Sequence, residues 1–138
     1  MGMELELQEA IFQNLSGDAP LLALVNGIYD YVPQPNDAGS PANFPYVVVG
    51  DDSLNAWDTD TTTGADSSIV IHSWSRYKGK KEIKQIQGAV YAALNRATLS
   101  IDGYSFVTCD LLTSDSFIDS DGITQHSTQT FRVLFNTA

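Results

Sequence analysis

The sequence predicts an α+β fold: one mostly antiparallel sheet of about five to six strands, with two helices packed on one face. Three observations predict it. Residues 67–75 are rich in the β-branched and aromatic side chains that suit a pleated surface, and they run straight into an amphipathic helix. Residues 45–50 are nearly continuous apolar sequence, as in an inner strand. The last third of the chain holds two Asp-Gly pairs, Asp102-Gly103 and Asp121-Gly122, each a strong hairpin signal between strand-like runs.

Taken in order, residues 4–15 form the first helix. Leu5, Leu7, Ile11, Phe12 and Leu15 gather on one side, and Glu4, Glu6 and Glu9 suit its positive N-terminal end. Ser16-Gly17 stops it, and Asp18 caps a short turn through Leu21, Leu22, Leu24 and Val25. A first short strand spans 28–32. Three prolines and a glycine make 33–41 a long loop. After the 45–50 strand, the stretch 51–65 holds Asp51, Asp52, Asp58, Asp60 and four threonines, with Leu54 and Trp57 as its large apolar groups. It reads as a long loop, an extended arm or a long hairpin that contacts a neighbour. The strand 67–75 is followed by the connector 76–81. In the helix beyond it, Ile83, Ile86, Val90 and Leu94 recur at three- and four-residue steps. Residues 99–104 are predicted as a strand turning at Asp102-Gly103, 104–112 as its return, and 123–135 as a last long strand. Val47, Val49, Ile69, Ile71, Trp74, Ile83, Ile86, Val90 and Phe131 are the expected core. No repeat or linker divides residues 1–138, so they are read as one domain.

The 138 residues carry 17 acidic and 7 basic groups, a formal charge of −10 that argues against tight nucleic-acid binding. No run reaches the roughly 18–20 apolar residues of a bilayer span, and no basic-then-apolar leader is visible. Glu6 stands where a myristoylation signal wants Ser or Thr. The single Cys109 excludes an intrachain disulfide framework.

No constellation argues for an enzyme. There is no Gly-x-Ser-x-Gly elbow, and Cys109 on a strand reads as a small core residue. His72 in the central strand reads as a packed, hydrogen-bonded histidine. Asp58-Thr-Asp60 and Asp119-Ser-Asp121-Gly122 echo pieces of calcium loops, but the alternating ligand positions fail, and turn-forming aspartates explain both. Gly79-Lys80-Lys81 lacks the glycine a Walker loop needs five residues earlier, where Trp74 stands. No metal site, cofactor or catalytic residue is therefore expected.

The feature that does ask for a partner is charge. Arg76, Lys78, Lys80, Lys81 and Lys84 are five of the seven basic residues, clustered at a helix start in an acidic chain. Cations there oppose the helix dipole, so an acidic partner surface is the expected complement. Asp51, Asp52, Asp58 and Asp60, with Leu54 and Trp57, are the matching candidates on another copy.

Read together, the run 28–33, then Phe44-Pro45-Tyr46-Val47-Val48-Val49-Gly50-Asp51-Asp52, then Trp57-Asp58 and Gly64, lead into Ile71-His72-Ser73-Trp74-Ser75-Arg76. Gly79, Glu82 and Lys84 follow, before an Ala-rich helix. That succession resembles the tail-completion, or tail-terminator, proteins of long-tailed bacteriophages and prophages, over most of the chain. The resemblance implies a homo-oligomeric ring, typically of six copies, that caps the tail tube, ends its polymerisation and offers a docking surface to the head connector protein. It implies a virion location in the tail or neck, assembly in the host cytoplasm, and DNA that passes without specific binding. It implies no membrane, no cofactor and no catalytic residues. Two alternatives remain at this level: another head–tail adaptor, or a small ligand-binding or hydrolase domain using Asp51, Asp58 and His72.

Overall fold

A computed structural model describes residues 2–30 and 43–137. Eight elements follow in order: α1 (Met3–Ser16), α2 (Ala19–Leu22), β1 (Ile28–Tyr29), β2 (Tyr46–Ala56), β3 (Gly64–Ser75), α3 (Lys81–Leu94), β4 (Tyr104–Ile118) and β5 (Gln125–Thr137). The strands make one sheet in the order β1-β2-β3-β5-β4. Every pairing is antiparallel except the short β1–β2 contact. Part of the predicted 28–32 strand and all of the 33–41 loop lie outside the described residues.

Alternation along the strands assigns each side chain to a face. Val47 and Val49 of β2, Ile69 and Ile71 of β3, and Phe131, Val133 and Phe135 of β5 are buried toward the helices. Ile86, Val90 and Leu94 of α3 meet them, with Leu7, Ile11 and Leu15 of α1 beside. At about 25 cal/mol per Å² this apolar burial is the main stabilising term. Leu5, placed on the inner stripe from sequence, is 51% exposed, and Glu6 is buried in its place. Asp18 caps α2 as expected, accepting from the Leu21 N–H at 3.0 Å.

The sequence expectation is overturned at two places. Trp74 alternates with Ser73 and Ser75, which are fully buried, so its indole lies on the face away from the helices and is only half-buried. Residues 99–101 form no strand: Leu99 and Ile101 are buried in the core, and the turn closes through the Tyr104 N–H to Ile101 O bond of 3.0 Å. The β4 edge they were expected to join is taken instead by the end of α3. Arg96 N–H donates to Cys109 O at 2.7 Å, and Leu111 N–H donates to Asn95 Oδ1 at 2.9 Å. These bonds cover part of an edge strand that would otherwise offer unpaired backbone.

Residues 51–65 take one of the forms the sequence allows. They are a hairpin: β2 runs on to Ala56, β3 begins at Gly64, and the two stay paired from Asp52↔Ile69 out to Ala56↔Ala65. One irregularity interrupts them. Gly50 and Asp51 stand opposite the single residue Val70, a β-bulge. Gly50 has no side chain to spare there, because an added Cβ would sit 2.4 Å from Cδ2 of the His72 ring. The far hairpin forms at Asp121-Gly122 as predicted, with Gly122 at φ +72°.

Candidate interaction surfaces

The connector is held at the end of β3 by one hydroxyl. Ser75 Oγ donates to Glu82 Oε1 at 2.6 Å and accepts from Tyr77 N–H at 3.1 Å, tying the loop to the first turn of α3. Glu82 also supplies the negative charge that a helix N-terminus carrying Lys80, Lys81 and Lys84 otherwise lacks. Arg76 turns aside from the cluster. Its Nε donates to Thr124 Oγ1 at 3.2 Å and its guanidinium lies 4.3 Å from the centroid of the Phe44 ring. Thr124 Oγ1 in turn donates to Asp121 Oδ2 at 2.6 Å. That bond, with the Thr124 and Ile123 N–H donors, holds the Asp121 carboxyl down at about 2. Lys78, Lys80, Lys81 and Lys84 are exposed and make no ion pair among the described residues.

Beside the connector lies an open groove of about 580 Å³, lined by Arg76, Tyr77, Lys78, Lys80, Ile118 and Ile123 among others. Its apolar walls are well exposed: Tyr77 52%, Ile118 50% and Ile123 63%. Sequence reasoning named the lysines and missed the two isoleucines. They come from the β4–β5 turn region, far from the connector in the chain.

The acidic hairpin is at the other end of the sheet. Asp52 and Asp60 are exposed and make no ion pair among the described residues. Asp58 has a local task, accepting from Gly64 N–H at 3.1 Å to close the tip. Leu54 packs against the core, and Trp57 is 37% exposed at the tip. Within one subunit the basic cluster and the hairpin tip, with Trp57, Asp58 and Asp60, stand at opposite ends of β3, while Asp51 and Asp52 lie opposite its middle, at Val70 and Ile69.

The open face of the sheet carries a third feature that no single stretch of sequence shows. One register row reads Tyr46↔Trp74↔His126↔Phe117, crossing four strands. Tyr46 stacks on Trp74 with centroids 5.4 Å apart, Trp74 on His126 at 4.4 Å, and Phe117 tilts against His126 at 4.8 Å. His72 Nδ1 and His126 Nε2 share a hydrogen bond of 3.0 Å. Asp51 approaches the outer nitrogen of His72 at 3.9 Å, and Asp119 that of His126 at 3.4 Å. Burial, then the neighbouring His126, lowers the pKa of His72, with Asp51 opposing.

The hydrolase alternative does not assemble. Asp58 sits at the hairpin tip beyond the Ala56↔Ala65 pair, seven β3 positions from His72, or roughly 23 Å along the strand. The two groups cannot share a substrate atom, which needs hydrogen-bond reach. Cys109 is buried, and burial pushes its thiol up to about 12, the reverse of an activated nucleophile. Among the described residues no three His, Cys, Asp or Glu side chains are placed to hold a metal ion.

The sheet thus has one covered face, one aromatic open face, and a basic cluster at the opposite end from the hairpin tip. The chain belongs to the family described as tail completion protein gp17, whose family model matches residues 9–136. It is a structural tail-completion protein of the bacteriophage type. The tail completion protein gp17 of Bacillus phage SPP1 is 29% identical over 130 residues, covering 94% of this chain and 92% of that protein. A solved structure of SPP1 gp17 superposes with a TM-score of 0.57 at 27% identity, covering 92% of this chain and 86% of that one. A chain in the virion of a native gene transfer agent particle superposes more fully, with a TM-score of 0.83 at 28% identity and 94% of each chain covered.

Proposed function

We propose that this protein closes the head-proximal end of the tail tube as an oligomeric ring of about six copies, the number its resemblance implies. The ring ends tube polymerisation and presents a docking surface to the head connector protein. The observation that carries this reading is the near-complete superposition on a chain in an assembled particle, together with membership of the tail-completion family. The charge supports it as well: with a formal charge of −10, a ring wall formed by this chain repels phosphates, so DNA passes without being bound. Its contacts are with copies of itself, with tail tube protein and with connector, in the virion neck and, during assembly, in the host cytoplasm. The interface candidates are Lys78, Lys80, Lys81 and Lys84 at one end of the sheet, Trp57, Asp58 and Asp60 at the other, and Asp51 and Asp52 between them. Arg76, drawn toward Phe44 and Thr124, and Leu54, packed on the core, complete the set.

Removing the gene from its phage tests the reading. The expected result is tails of unregulated length that fail to join filled heads, restored by the gene in trans, with the protein found at one end of each tail. Tails of normal length and joining in its absence would refute it.

A further inference from the structure

We propose that the groove beside the connector receives the β2–β3 hairpin tip of a second copy, with Trp57 as the anchor, so that subunits join head to tail. This rests on the ring reading above and specifies its contact. Three observations lead to it. First, β3 has twelve residues from Gly64 to Ser75, which at about 3.3 Å each separates the hairpin tip from the connector by roughly 36 Å. The same separation runs along β5, where Asn136 pairs with Gly64 and Gln125 with Ser75. Neither patch can satisfy the other within one chain. A contact between them is heterologous, uses each patch once per copy, and can close a ring.

Second, the charges are complementary and unspent. Lys78 and Lys80 rim the groove, Asp60 stands at the hairpin tip, and none is ion-paired among the described residues. A chain of net charge −10 that meets its own copies must bring opposite signs to the contact, and these lysines belong to its one concentrated source of cations. Third, both sides expose apolar surface where surface is normally polar. Tyr77, Ile118 and Ile123 line an opening of about 580 Å³, and Trp57, its ring lying beside Gly64, stays 37% exposed at the opposite end. An aromatic side chain carries roughly 150–250 Å² of area, of which about a third remains to be buried at Trp57, so the indole and the groove's isoleucines share the affinity. Exposed ion pairs contribute little each, so the lysines and aspartates set register.

Charge reversal in trans is the test, read as native mass of the free protein over rising concentration and as ring occupancy on purified tails. The double variant Lys78→Glu with Lys80→Glu, and the tip variant Asp60→Lys, should each keep the wild-type circular dichroism and lose the ring. An equal mixture of the two should restore it, since every groove then finds a hairpin of opposite sign. Trp57→Ala should weaken association about ten- to thirtyfold. Rings formed normally by each variant, or a mixture no better than its parts, would overturn the contact while leaving the ring reading intact. Variants that keep the ring but lose head joining would also overturn it, assigning the groove to the connector. If the wild-type protein forms no ring even on tails, the ring reading itself fails.

Discussion

The two faces of the sheet are built by opposite rules. Toward the helices, the β3 row reads Ser67, Ile69, Ile71, Ser73, Ser75, and the β5 row opposite reads Gln125, Ser127, Gln129, Phe131, Val133, Phe135, all buried. Large apolar groups fill one half of that face and small polar ones the other. There Gln129 Nε2 donates to Gln87 O of α3 at 3.0 Å, so the helix lies close enough for direct bonding to the strand. Away from the helices four aromatic rings stand in a row: Tyr46, Trp74, His126 and Phe117, partly exposed. A core built for one subunit does not place its tryptophan outside and its serines inside. The covered face holds the subunit together, whereas the open face leaves its aromatic row partly in solvent.

Truncation breaks or sharpens this contrast most directly. Phe131→Ala empties a site with 0% exposure on the covered face and should cost about 3–5 kcal/mol, measured by urea unfolding of the subunit. Trp74→Ala should cost only about 1–3 kcal/mol, since its stacking partners remain and part of its surface is already wet. Equal losses at the two positions would mean that the open face is as much core as the other.

Acidification tests the open face next. The folded pKa of His72 is lowered, so the unfolded chain, near the usual 6.5, binds the proton first. Stability should be full above about pH 6.5 and decline as pH falls from there through the lowered folded value. His72→Asn should flatten that part of a melting-temperature profile. A wild-type profile that is level between pH 7 and 5 would show that the imidazole pair carries no penalty.

The smallest effect belongs to the polar half of the covered face. Ser73 and Ser127 face each other across β3 and β5, and neither hydroxyl has a hydrogen-bond partner among the described residues. Burying an unpaired hydroxyl costs about 1–3 kcal/mol on mutational scales. Ser127→Ala should therefore leave stability unchanged or raise it by up to about 1 kcal/mol. A loss larger than that would reveal a bond carried by ordered water.

Much of this was legible because periodicity is local. The α3 stripe of Ile83, Ile86, Val90 and Leu94 is buried at every position, and the cap at Asp18 and the turn at Asp121-Gly122 stand where their residues ask. What could not be read is what depends on register between distant segments. The row from Tyr46 to Phe117 exists only once four strands are aligned, and the groove wall of Ile118 and Ile123 meets the connector only through β5. Alternation also misled at 99–101, where Leu99 and Ile101 mimic a strand but plug the core beneath the helices. The basic cluster was visible as composition, yet Arg76 was drawn aside by Phe44 and Thr124, partners not evident from its own neighbourhood.

The doubled residue at Gly50 and Asp51 works as a phase shifter. On its near side the inward-facing residues of β2 are odd-numbered, Val47 and Val49; on its far side they are even-numbered, with Leu54 turned to the core and Ala56 opposite Ala65. Losing one of the two leaves Leu54 facing the core opposite Ser67, because the strand then alternates without a break; what is lost is the added bend and, if Gly50 is the residue removed, the position without a side chain beside the His72 ring. Losing a residue between Ser53 and Ala56, where none is doubled, would instead turn everything beyond it by half a turn. Length changes in this protein are therefore cheap at the tip, 57–63, absorbed at the bulge, and ruinous along the stem between them. Descendants of this chain are free to vary the reach of the hairpin while its stem keeps count.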